Sequence, residues 1–267
     1  MRCYNAKNTL ANILDEFDPN SNPLFTPEHI YGKREKIADV CIVTFHHRVL
    51  EKVLEEYAPA AAAAAATANG KVNIYLLENG GKKVLFYMSP IGAPAAGAIM
   101  HEVNVLTGAE KFIVFGSCGV LAPEKCAGKI IVPTESYRDE GFSYHFFPAG
   151  DYIIMKNSEA VEKHLKAGKV PYVSGRNWTT DAIYRETPDN IARHRKDGCI
   201  SVEMEAAGLQ AVADYMGAEL YIFFFGGDIL GESWDIGNMG GEKEKERQHG
   251  LLILRWALPR KYSCIFQ

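Results

Sequence analysis

The sequence predicts an α/β protein, a single domain with helices packed on the faces of a sheet. Short apolar, β-branched runs alternate with segments whose apolar residues recur at helical spacing through most of the chain. Gly108, Gly198, Gly217 and the Thr187-Pro188 pair stand where such elements must stop or start. The 267 residues, 47% hydrophobic and 23% charged, match ordinary globular usage and suffice for one large core. No internal repeat and no linker to a second domain breaks the pattern.

Residues 1–35 are polar and rich in Asn and Pro, and they read as an arm or irregular lead-in to an α/β domain over 36–267. Residues 38–44 form a buried strand, after which Val49, Leu50, Val53, Leu54 and Tyr57 share one helical face. Seven consecutive alanines follow at 60–66. That run is either genuine low complexity or unassigned residues written as alanine, and no chemistry is given to it. Residues 71–78 and 82–89 flank Asn79-Gly80-Gly81, a strong hairpin signal. Ile99, Met100, Val103 and Leu106 mark a helix that Gly108 can stop with a left-handed cap.

Strands are expected at 111–115 and 130–133, a short helix through Val161 and Leu165 up to Gly168, and another strand at 170–174. Thr187-Pro188 starts a helix, with an N-cap hydroxyl and Pro in the first turn, that ends at Gly198. The strand 199–203 passes directly into a helix with Ala206, Leu209, Ala213 and Met216 on its apolar face. A further apolar strand covers 219–225, and a last helix is expected over 242–258.

The net charge of −4, a pI of about 6.1 and the lack of a basic block argue against a nucleic-acid partner. The six cysteines, Cys3, Cys41, Cys118, Cys126, Cys199 and Cys264, are scattered without metal-ligand or C-x-x-C spacing. Several lie in apolar strands, where a free thiol acts as a small hydrophobe. With no apolar run of about 18 residues and no charged-then-apolar opening, a cytoplasmic chain with no membrane partner is expected.

Ligands of α/β sheets gather at the carboxyl ends of strands. Four such ends hold candidates: 44–48, 116–119, 203–205 and 226–228. Gly116-Ser117-Cys118-Gly119 is either a tight turn or a cradle of backbone N–H groups for an anion, with the Ser117 hydroxyl as an added donor. Glu203 and Glu205 frame Met204 at the strand-to-helix switch; they either complement a helix N-terminus or approach one ligand together. Asp228, beyond a buried strand and two glycines, is a binding acid or a turn former.

Together these segments resemble a known family. Ser201-Val202-Glu203-Met204-Glu205-Ala206-Ala207 is similar to the signature of the nucleoside phosphorylases, the family of the hexameric bacterial purine and uridine phosphorylases. Phe115-Gly116-Ser117-Cys118-Gly119 resembles the family's phosphate loop. Asp139-Glu140-Gly141-Phe142-Ser143-Tyr144-His145-Phe146 resembles a segment of the uridine-phosphorylase-like branch, and residues 178–187 resemble its base-pocket strand and loop. The likeness runs from about Asn22 to the expected last helix.

The resemblance implies a central mixed, twisted sheet, assembly as dimers or trimers of dimers, and no cofactor beyond phosphate as co-substrate. It implies cleavage of a nucleoside's N-glycosidic bond to free base and ribose 1-phosphate. Glu205 would hydrogen-bond the ribose hydroxyls, Met204 would pack under the sugar, and Glu203 and His145 would line the same end. Arg48, Gly92, Ser117 and Gly119 would contact phosphate, and Ile183 and Tyr184 the base. Asp228 matches the acid that protonates purine N7.

The chain also departs from the family. Thr44-Phe45-His46-His47-Arg48 stands where a Gly-Asp-Pro-x-Arg turn is usual, so Arg48 is kept and the turn is not. Val114 replaces a second phosphate arginine, and the alanine run holds none of the third. Arg138, Arg176 and Arg185 are the available substitutes. Three readings therefore stand: phosphorolysis of a purine nucleoside or uridine, hydrolysis as in the nucleosidase branch, and nucleoside binding without turnover.

Overall fold

A computed structural model describes residues 12–79 and 81–237 of the chain. Cys3, Cys264, Gly80 and the helix expected over 242–258 lie outside the described residues. A 3-10 turn (Ile13–Asp15) and helix α1 (Pro27–Tyr31) precede β1 (Val40–Thr44), α2 (His47–Tyr57) and β2 (Ala61–Thr67). There follow β3 (Gly70–Asn79), β4 (Lys82–Met88), α3 (Ala93–Thr107), β5 (Lys111–Val120), α4 (Pro123–Cys126) and β6 (Ile130–Asp139). A 3-10 turn (Phe142–His145), β7 (Tyr152–Ile154), α5 (Ser158–Ala167), β8 (Tyr172–Thr180) and a 3-10 turn (Ile183–Arg185) come next. The described chain closes with α6 (Pro188–Lys196), β9 (Cys199–Glu203), α7 (Ala206–Met216), β10 (Glu219–Leu230) and β11 (Trp234–Asp235).

The strands form one mixed sheet, with helices on its faces, and part of it closes on itself. β5 pairs parallel with β10, β10 antiparallel with β6, β6 parallel with β8, β8 parallel with β9, and β9 antiparallel with β5. This ring depends on a shared edge of β5: its first half, Lys111–Phe115, pairs with β1, and Gly119 and Val120 then pair with β9. β4, β3 and β2 extend the open side beyond β1. The expected hairpin is present, with Asn79 opposite Lys82.

Alternate residues of the central strands feed two cores, as strands covered on both faces require. Cys41, Val43, Phe112, Val114, Ile222 and Phe224 pack with α3 and α7. Val40, Ile42, Ile113, Phe115, Phe223 and Phe225 pack with Val49 and Val53 of α2 and Val161 and Leu165 of α5. Val114, at the position of a family arginine, is fully buried in the first core. A smaller cluster of Leu121, Trp178, Ile191, Val202 and Leu230 closes the ring beneath α6.

Gly108 takes the expected left-handed cap, and Thr187 caps α6 by accepting the Asn190 N–H. Four strands run further than their apolar cores announced: β5, β6, β8 and β10. The reading of 116–119 as a loop and of 226–228 as a turn is thereby corrected. Both segments are strand, paired with each other across Phe225–Ser117 and Gly226–Cys118. Glycine serves close approach here, since a Cβ on Gly119 would lie 2.6 Å from Leu230 Cδ1 and 2.9 Å from Val202 Cγ1.

The alanine run forms β2, because pairing with β3 overrides alanine's preference for helix. Cys41, Cys126 and Cys199 are free and buried, and Cys118 is buried. Among the described residues no helix is long and apolar enough to cross a membrane.

Candidate functional site

The switch from β9 into α7 places two buried carboxylates two residues apart. Glu203 Oε2 accepts the N–H groups of Glu205 (2.7 Å) and Ala206 (2.8 Å), the first free donors of α7. Its Oε1 accepts from Asn177 Nδ2 at 2.7 Å and from the Thr179 hydroxyl at 2.6 Å. Four donors fill the acceptor sites of a carboxylate. Glu203 thus complements the helix N-terminus, the first of the two roles open to it from sequence, and Glu205 is the member left facing outward from the pair.

Glu205 Oε1 accepts the Gly92 N–H at 2.6 Å. Gly92 sits at the N-terminus of α3 with φ of 95°, a conformation that costs glycine little and turns its N–H away from the helix. Gly92, expected on phosphate, therefore spends its donor on Glu205. Burial pushes both carboxyls up, while the donors around Glu203 pull it back. Burial and the negative charge of Glu203 push Glu205 up to about 8. Met204 is half-buried between them.

A second group of residues gathers at the end of β10. Asp228 is half-buried, and its Oδ2 accepts the indole N–H of Trp234 at 2.8 Å. Its Oδ1 lies 3.5 Å from the point a Cβ on Gly119 would occupy. Glu186, which the sequence did not single out, is pushed up to about 7 by burial and by the charge of Asp228. Its place just before the Thr187 cap of α6, in the expected base loop, was the available signal. Gly119 pairs with Val202, one residue before Glu203, and so joins the two groups. Ser117 is exposed on β5.

The other candidates are exposed or committed elsewhere. Arg48 is exposed in the first turn of α2, its N–H donating to His46 Nδ1 at 3.2 Å. His145 is exposed on its 3-10 turn, and Ile183 and Tyr184 are 47% and 96% exposed on theirs. Of the substitute cations, Arg138 is buried and donates to Ser143 Oγ and to the carbonyls of Phe147, Pro148 and Gly150. Arg176 donates to Glu135 Oε2 at 2.9 Å and to the Asp197 carbonyl at 3.0 Å. Arg138 clamps the segment that follows β6, Arg176 ties β8 to β6 and to the end of α6, and Arg185 is exposed beside Glu186. A cleft of about 510 Å³ lies elsewhere, lined by Ser89, Glu102, Lys71 and Tyr75 among others.

A family model described as the phosphorylase superfamily matches residues 39–250. The chain is 29% identical over 144 residues to a purine nucleoside phosphorylase DeoD-type 2 of Vibrio cholerae, covering 52% of this chain and 60% of the relative. It is 32% identical over 139 residues to a purine nucleoside phosphorylase DeoD-type of Colwellia psychrerythraea, with 50% and 58% covered. A third relative of that name, from Caldanaerobacter subterraneus, is 28% identical over 143 residues, with 52% and 61% covered. The aligned stretches span about three fifths of the length of these curated relatives.

Proposed function

Because the chain belongs to the phosphorylase superfamily, we propose that it cleaves the N-glycosidic bond of a purine nucleoside with phosphate, giving free base and ribose 1-phosphate. The observation that carries this reading is the β9–α7 switch, where Glu203 is consumed as a helix cap and Glu205 is left buried, held by backbone N–H groups such as that of Gly92. In this reading the ionised Glu205 accepts the ribose 2′- and 3′-hydroxyls while Met204 lies under the sugar. The C1′–N9 bond breaks with its electron pair going to the base, and Asp228, which enters this step carrying a proton, gives it to N7 and leaves as the carboxylate. A phosphate oxygen then bonds to C1′. The carboxylate contact strengthens as positive charge builds on the sugar, so it favours the transition state over the bound substrate.

Asp228 supports purine over uridine, since a pyrimidine has no N7 to protonate. The names of the relatives point the same way. Arg48, at the N-terminus of α2, and the exposed Ser117 are the anion contacts in this reading, and a second copy of the chain would cover Ile183 and Tyr184. One observation favours hydrolysis as the second reading: Arg138 and Arg176 are engaged by carbonyls and by Glu135 within the fold and do not replace the missing phosphate arginines. A panel of purine nucleosides and uridine, assayed for free base with and without phosphate, separates the two. Base release that needs phosphate is expected; equal release without it establishes hydrolysis, and none at all sinks both.

A further inference from the structure

Buried across β6, β8 and β9 lies a set of polar side chains for which neither reading has a use. Ser136 of β6, Asn177 and Thr179 of β8, and Ser201 of β9 are each 0% exposed. Their hydrogen bonds run in one direction. The Ser201 hydroxyl donates to Asn177 Oδ1 at 2.8 Å, and Asn177 Nδ2 donates to Ser136 Oγ at 2.9 Å and to Glu203 Oε1 at 2.7 Å. Ser136 lies 2.6 Å from Thr179 Oγ1, which also accepts the Ala207 N–H at 3.1 Å and gives its own proton to Glu203 at 2.6 Å. With those acceptor positions taken, every hydroxyl proton is aimed along the chain toward Glu203.

Such a chain ends properly on an anion, because Glu203 meets donors at all four positions, and a proton on Glu203 would turn Thr179 back toward Ser136 and leave the Ser136 hydroxyl proton without a partner in this set. The charge on Glu203 then fixes two things about its neighbour. It clamps the backbone N–H of Glu205 and so sets where that side chain starts. It also places a negative charge beside the Glu205 carboxyl.

We propose that Asn177 is a positioning residue for Glu205, acting through Glu203: the Ser201–Asn177–Ser136–Thr179 chain keeps Glu203 a fixed anion, and that anion holds the switch from which Glu205 reaches the ribose. This rests on the reading of Glu205 as the sugar ligand. It assigns this buried polar set a task in turnover, where a merely structural network would only stabilise the fold.

The test is a double-mutant cycle on base release, with Asn177→Ala measured alone and in a Glu205→Gln background. Asn177→Ala should lower kcat about tenfold while changing KM less, and should cost under twofold once Glu205 is gone. Equal losses in both backgrounds, or an unchanged kcat in a folded Asn177→Ala chain, overturn the proposal. If Asn177→Ala does not fold, Thr179→Val, which keeps the shape and removes one donor to Glu203, carries the same cycle with the same expected outcomes. If the parent chain releases no base, the functional reading has failed and the positioning is judged without turnover. Carbon-13 titration of the glutamate carboxyls, with Glu205 assigned through Glu205→Gln, should then show its midpoint moved in Asn177→Ala or Thr179→Val; an identical midpoint in parent and variant overturns the proposal.

Discussion

Glu205 is still protonated at neutral pH, because burial and ionised Glu203 push it up to about 8. Two expectations follow at this one residue. If the carboxylate holds the ribose, kcat/KM should climb with pH to a midpoint near 8, and a profile flat from pH 6 to 9 would remove Glu205 from that task. Stability should move the other way. Between the ordinary value of 4.5 and about 8 the folded chain keeps a proton that the unfolded chain has lost. Stability therefore falls as pH rises through that window, by up to about 1.4 kcal/mol per pH unit. Urea unfolding of Glu205→Gln should show a shallower slope than the parent and a gain that is larger at pH 8 than at pH 5. At Asp228 the expected outcome is selective: Asp228→Asn should slow inosine- or adenosine-like substrates by ~10²–10⁴-fold. It should spare 7-methylated purine nucleosides, whose base is already cationic, and rate measurements on both classes decide it. The sequence showed Glu205 and Asp228 because an acid beside a buried strand is conspicuous in one dimension. It hid Asn177, whose partners on β6 and β9 meet only in the folded ring.

At the level of elements, what could be read in advance were the features set by neighbouring residues. The Asn79–Gly81 hairpin, the Gly108 and Thr187 caps and the direct passage from β9 into α7 depend on local geometry, and the structure keeps them all. The ends of β5 and β10 were misjudged because glycine inside a strand looks like punctuation from sequence. In the structure Gly119 is the point where three strands crowd together. Gly119→Ala should therefore destabilise the chain by about 1–3 kcal/mol through overpacking against Leu230 and Val202. Its effect on kcat should exceed that of an equally destabilising change in α5, since Val202 and Leu230, which must give way to the methyl, respectively adjoin Glu203 and lie on the strand that carries Asp228. Chemical denaturation paired with kinetics measures both, and an Ala variant as stable as the parent would contradict the packing.

For the whole molecule, the exposure of Leu24, Phe25, Ile30 and Tyr184 is the surface that assembly would cover. Light scattering at micromolar protein should return at least twice the 29.6 kDa chain mass, and a monomer would contradict the proposal that a second copy covers Ile183 and Tyr184. The closed ring has a further consequence, in time rather than in space. Lys111 pairs with Glu219, so β5 must wait for more than a hundred residues to arrive before its partner strand exists. Contacts this distant in sequence form slowly, because the entropy of closing the loop is spent before the pairing returns anything. Gly119 meets Val202, Glu203 meets Asn177, and Asp228 reaches its place only once that closure is complete. Refolding followed by far-ultraviolet dichroism should therefore run ahead of recovery of the site, with hairpin and helices formed while Glu205 and Asp228 still stand apart. The ring makes competence the last thing this chain acquires, and the first it would lose when a strand of the ring opens.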